Sequence, residues 1–181
     1  FRIFFRSKFL YLSVDCFIKI VPFFFKNFIF DLSSELWKII STPSTLELFH
    51  PFCEKNPITN WPGVDSSDTI HYYNGLRLER HFINWEDNIG YDLLIGIENG
   101  EKSFVSWRIK EKNNTLELTI AVYPYLNNCG FKIINFIPFF IIVKPSLSNY
   151  LNSVLKGLEF YIRTNKKVKK NQFGTHNFFS N

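Results

Sequence analysis

The densest set of chemically capable side chains lies in "HPFCEKNPITNWPG", residues 50 to 63. His50 and Cys53 stand three residues apart, a spacing at which a helical turn would set an imidazole against a thiol. A thiol nucleophile needs such a base and an electropositive setting to form its thiolate. No neighbouring residue is placed to orient the imidazole, and a buried cysteine ordinarily behaves as a small hydrophobe. The stretch is therefore read as a proline-stiffened lid and entry loop, anchored by Phe52 and Trp61, and not as a Cys–His centre. A metal centre drawn from His50, Cys53, His71 and His81 matches no known ligand spacing. No catalytic residue, metal or cofactor is expected.

Charged residues offer a second chemistry. Asp68, Glu79, Arg80 and Asp92 lie on or beside the strands that the pattern predicts. A pair such as Glu79 with Arg108 across a sheet would polarise a carbonyl inside a cavity. Ion pairing at the surface is the preferred reading of all these charges. Tyr91, Trp107, Tyr150 and Tyr161 form an aromatic stripe that serves either a ligand cavity or ordinary core packing.

The elements that must position these groups follow from periodicity. Residues 23 to 30, rich in Phe and Ile, read as a strand. "SSELWKII" reads as a short helix with Ser33 as its N-cap, ended by Pro43, and "PSTLELF" as a further turn or two. Residues 51 to 67 read as loop, given Pro51, Pro57, Pro62 and Gly63. An antiparallel meander follows, with turns at Asn74-Gly75, Asn99-Gly100 and Asn113-Asn114. In "SFVSWRI", Val105, Trp107 and Ile109 make an apolar face against Phe104, Ser106 and Arg108. Leu147, Tyr150, Leu151, Val154, Leu155, Leu158, Tyr161 and Ile162 form one helical stripe over residues 145 to 164. The predicted class is α+β: a curved antiparallel sheet of six to seven strands wrapped on a long C-terminal helix, with two short helices after the first strand.

Composition narrows the class. The chain has 181 residues, 46% apolar and 20% charged, which suits one domain with its own core. Phe occurs 22 times, while Ala occurs once, at Ala121, a bias read as codon usage more than function. Cys16, Cys53 and Cys129 show no metal-ligand spacing and fit a reduced compartment, so a cytoplasmic location is expected. The net charge of +5 is concentrated in "NKKVKK" at 165 to 170. That is too local for nucleic acid, and it suits transient contact with an anionic membrane surface. The longest apolar run, "FKIINFIPFFIIV" at 131 to 143, holds Lys132, Asn135 and Pro138. It reads as a lid or a packed connection, not a membrane span. The opening residues make a poor signal peptide.

"FDLSSELWKIISTPSTLELFHPF" resembles the opening of the START-like superfamily, also called SRPBCC or polyketide cyclase/dehydrase and lipid-transport proteins. Asp31, Trp37, Pro43, Leu46, His50 and Pro51 match its strand, Trp-containing helix and proline turn. "WPG", "YYNG", "GYDL" and "KPSL…YL…VLKGLEFYI" resemble a bacterial subgroup, and Ser33 stands where a proline is often seen. The resemblance implies a helix-grip domain over residues 23–164. Residues 1–22 are then an N-terminal extension that need not be native, and 165–181 a solvated basic tail. It also implies a cavity between sheet and C-terminal helix for a hydrophobic or amphipathic molecule, lipid-like or polyketide-like. Phe52, Trp61, Tyr91, Leu93, Trp107, Ile109, Tyr150, Val154 and Leu158 are the expected lining. A cyclase or dehydratase on an aromatic or polyketide substrate is the alternative, and a surface interaction module the third reading.

Overall fold

Six long strands arise where β-branched and aromatic residues recur between Asn- and Gly-containing turns. The computed structural model describes residues 24–31, 35–112, 115–125 and 143–180. Phe24–Asp31 (β1) precedes the short helices Glu35–Ser41 (α1) and Leu46–Phe49 (α2). Cys53–Lys55 (β2), Ile58–Asn60 (β3), Ser67–Tyr72 (β4), Arg77–Glu86 (β5) and Gly90–Gly96 (β6) follow. Lys102–Lys112 (β7) and Thr115–Tyr123 (β8) complete the sheet, and Lys144–Thr164 (α3) closes the fold. The order is β1-β8-β7-β6-β5-β4-β2, with β3 pairing β4, and the pairs are antiparallel. The expected class and the long strands are those observed.

Alternation sets the buried face. On β4, Asp68, Ile70 and Tyr72 are buried while Thr69 and His71 are partly exposed. Register carries this face across the sheet: Asp68 opposes Arg80, Tyr91 opposes Trp107, and Trp107 opposes Ile120. Leu151, Val154, Leu155 and Leu158 of α3 belong to the same buried core. Gly157 lets α3 close on α2: a Cβ there would lie 2.1 Å from the Phe49 carbonyl oxygen.

Two expectations are revised. The segment read as loop, 51 to 67, contains β2 and β3, because its residues between prolines are free to donate to the edge of β4. The basic tail is not merely solvated. Asn165, in the left-handed region at φ 51°, ends α3. The chain then folds back, Val168 N–H donating to Leu48 O (2.8 Å) and Asn171 N–H to Pro51 O (3.1 Å). Ser153 Oγ donates to Phe173 O, and Asn74 Nδ2 to Phe178 O. Val168, His176 and Ser180 are buried by this strap, whereas Lys166, Lys167, Lys169 and Lys170 remain exposed. Val168 between the lysines, with His176 and Phe179 beyond them, accounts for the docking. The expectations for residues 1–22, Ser33, Asn113-Asn114, Cys16, Cys129 and 131–142 fall outside the described residues. Among the described residues no helix is long and apolar enough to cross a membrane.

Candidate functional site

Pro51 turns the chain out of α2 and directs the rings on either side of it inward. The Phe52 N–H donates to His50 Nδ1 (3.2 Å), so that nitrogen carries a lone pair and Nε2 carries the hydrogen. His50 Nε2 lies 2.8 Å from the Tyr150 hydroxyl, which lies 3.0 Å from the Tyr72 hydroxyl. Helix α3, the α2 turn and strand β4 thus meet in one polar chain. Burial, with the field of Arg80 adding to it, pushes the His50 imidazole down to about 3. Burial pushes the Cys53 thiol up to about 12, and Cys53 Sγ points to the Lys55 carbonyl at 3.4 Å. His50 and Cys53 are therefore not a base and nucleophile: the thiol is protonated and both ring nitrogens are engaged.

A second polar group stands on the same inward face. Arg80 meets Asp68 through both carboxylate oxygens, Nε to Oδ1 at 2.7 Å and Nη2 to Oδ2 at 2.5 Å. The Asp68 side chain is fully buried and that of Arg80 is 8% exposed. Burial pulls the guanidinium towards neutrality, and the Asp68 carboxylate more than reverses this, so Arg80 stays charged. Arg80 also lies over the Phe82 ring, 5.2 Å from its centroid, and beside the Tyr91 hydroxyl. The surface reading of this pair is thus corrected: Asp68 is in phase with Ile70 and Tyr72, and Arg80 with Phe82. The proposed Glu79–Arg108 pair does not form. Glu79 takes Lys102 (2.9 Å) and Arg108 takes Asp92 (2.6 Å). Alternation puts both of these pairs on the opposite face from Tyr91 and Trp107. His71 and His81 point to that outer face too, so the four candidate metal ligands do not converge.

The nine expected lining residues divide into two ring clusters joined by aliphatic core. Phe52 stacks on Tyr150 (5.7 Å between centroids). Tyr91 stacks on Trp107 and on Trp85, and Trp61 meets Phe82 and Trp85 edge to face. Leu93, Ile109, Val154 and Leu158 are buried in the same core. Trp61 is the exception in setting: it borders an open cleft of about 440 Å³ with Pro43, Pro62, Trp85 and Asp87. Its indole N–H donates to Ser41 O, tying the 51–67 segment to the end of α1.

No protein-family model and no curated sequence matches the chain. Solved structures do. DynU16, a protein of the dynemicin biosynthetic locus, superposes at TM-score 0.62 with 12% identity, over 83% of this chain and 52% of that one. This chain therefore spans about half of DynU16. Ara h 8.0201 matches at TM-score 0.57 and 11% identity, over 80% of this chain and 99% of that one. Protein MLL2253 from Mesorhizobium loti matches at TM-score 0.60 and 15% identity, over 79% and 98%. These likenesses show a shared fold, a helix grip in which a curved antiparallel sheet is closed by the long helix α3.

Within the helix grip, pattern reading found the apolar walls and missed the polar centre. Tyr72, Asp68 and Arg80 were legible in principle, since period two puts each in phase with buried apolar neighbours. His176 and Phe179 carried no such signal. They reach Tyr150 only because the strap returns, with ring centroids 5.8 and 4.7 Å away.

Proposed function

We propose that this protein binds a hydrophobic or amphipathic small molecule, lipid-like or polyketide-like, between the inward sheet face and α3. The observation that carries the reading is an inward face of aromatic and aliphatic side chains interrupted by two compact polar groups, Asp68–Arg80 and His50–Tyr150–Tyr72. Apolar walls with a few placed polar groups are what small-molecule sites have in common. The fold shared with a protein of a biosynthetic locus supports an aromatic or polyketide-like ligand. Binding is preferred to cyclase or dehydratase chemistry because His50 has both nitrogens engaged and Cys53 keeps its proton.

Native mass spectrometry of protein purified from its own host tests the reading. The expected result is an added apolar mass that organic extraction removes. A single apo mass, with no uptake of any apolar probe, overturns it.

The exposed lysines of the strap, beside an exposed Phe178, complement an anionic bilayer through which such a ligand would be exchanged. Sedimentation with phosphatidylserine vesicles should exceed that with phosphatidylcholine vesicles and vanish in 0.5 M salt. Equal sedimentation with both would count against the contact.

A further inference from the structure

The polar chain His50–Tyr150–Tyr72 holds one hydrogen more than its contacts can use. The Phe52 N–H can only donate, so His50 Nδ1 accepts and Nε2 bears the ring hydrogen. Three hydrogens are therefore present: His50 Nε2–H, Tyr150 O–H and Tyr72 O–H. The group has two internal contacts, at 2.8 and 3.0 Å, and each uses one hydrogen. If Tyr150 donates to Tyr72, the hydrogen left over is on Tyr72. If Tyr72 donates to Tyr150, it is on Tyr150. Either way one phenolic O–H is without an acceptor among the described residues, and Tyr72 is only 1% exposed. A buried donor left without an acceptor is costly, so such a group has a use for an acceptor beyond the described residues, which a bound molecule can supply.

The charge of the surroundings says which acceptor. Asp68 and Arg80 cancel each other as a bidentate pair. His50 is held neutral, and burial holds Cys53, Tyr72, Tyr91 and Tyr150 in their protonated forms. Among the described residues, the interior around the spare hydrogen therefore has no uncompensated cation. A carboxylate or sulfonate brought there would lose the strong hydration of a full charge against a site of zero net charge, whereas a carbonyl loses far less and regains a hydrogen bond from the phenol.

We infer that the Tyr72–Tyr150 pair receives a neutral carbonyl oxygen of the bound molecule, so that the ligand class is an apolar ketone, ester or similar carbonyl compound and not a free acid. The inference rests on the binding reading above and adds the polar end of the ligand to it. A site built around a hydrogen-bond donor discriminates strongly against an analogue lacking the acceptor, because the donor is then left buried and unpaired.

Three probes of one shape test this by equilibrium dialysis at pH 7.5: 2-acetylnaphthalene, 2-ethylnaphthalene and 2-naphthoate. The ketone should bind at least tenfold tighter than either of the others. In Tyr72→Phe/Tyr150→Phe the advantage of the ketone over the hydrocarbon should disappear. The infrared carbonyl stretch of the bound ketone, read in the unaltered protein, should move to lower frequency, which gives a check that needs no variant to fold. Equal affinity for ketone and hydrocarbon, with no shift of the stretch, overturns this inference and leaves the binding reading standing. Tighter binding of the naphthoate overturns the neutral-head assignment. No uptake of any of the three overturns both.

Discussion

Asp68 and Arg80 allow a test in which a single and a double replacement should move stability in different ways. Asp68→Asn keeps the shape of the side chain and removes the charge that holds the guanidinium in place. Arg80 stays inside, its side chain 8% exposed, with a ring beneath it and no carboxylate against it. Breaking one side of a buried pair costs about 3–5 kcal/mol, since the remaining ion keeps its desolvation and loses its partner. With a urea slope of roughly 2 kcal/mol per molar, the unfolding midpoint should fall by about 1.5–2.5 M. Asp68→Leu/Arg80→Met removes both charges and both desolvation terms. Its stability should lie within about 1 kcal/mol of the native protein, or above it. Urea titration followed by far-UV circular dichroism reads all three proteins. A loss under about 1 kcal/mol for Asp68→Asn would mean that water reaches the pair and the interior is not dry there. A double variant as weak as the single one would mean that shape and the neighbouring Tyr91 matter more than charge.

Other perturbations bear on single features. His50 binds its proton in the unfolded chain near 6.5 and in the fold only near 3, so its contribution is complete above 6.5 and is lost as pH falls. Stability should drop by about 1.4 kcal/mol per pH unit below 6.5, about 2 kcal/mol by pH 5, and His50→Gln should flatten this slope in urea titrations at the two pH values; equal slopes would refute the burial argument. Gly157→Ala should cost about 1–3 kcal/mol, because the new methyl meets the Phe49 carbonyl of a rigid turn, and a thermal scan that shows no loss would mean the α2–α3 contact is loose. Cys53, 1% exposed and with a raised thiol, should resist iodoacetamide at pH 8 in the native protein and react on unfolding, as peptide mapping would show; fast native labelling would return the thiol to consideration as a nucleophile.

Period-two and period-3.6 patterns made the walls of the fold legible. Trp107 and Ile109 alternate with Ser106 and Arg108, and Leu151, Val154, Leu155 and Leu158 recur at helical spacing, so each declared its buried side. The strands β2 and β3 escaped notice because three residues carry no period, and prolines between them suggest only loop. The Asp68–Arg80 pair escaped because a charge is read as exposed by default. Its position in the alternation says otherwise, and only the register that sets residue 68 opposite residue 80 shows that each charge compensates the other. The strap is a long-range effect of another kind. Its docking depends on where α3 ends and on Asn165 turning the chain, not on any local periodicity.

Histidine shows most plainly why residue type alone misleads here. His50 and His176 both stand two residues before a phenylalanine, and in both the N–H of that phenylalanine donates to Nδ1 at 3.2 Å. The local turn thus fixes the tautomer, and Nε2 is left to donate: to Tyr150 in one case, to Ser146 at 2.9 Å in the other. An imidazole held in this way has no lone pair to offer a proton or a metal, and burial lowers the affinity of both for a proton. The same geometry makes the ring a directed donor. At His176 the donated hydrogen closes the strap onto the first turn of α3. At His50 it enters a phenol pair that already has hydrogens of its own, and the surplus is what makes that end of the helix grip a place for an acceptor. The chemistry that seemed to reside in "HPFC" therefore belongs to the two tyrosines that His50 organises, which lie 22 and 100 residues away in the chain.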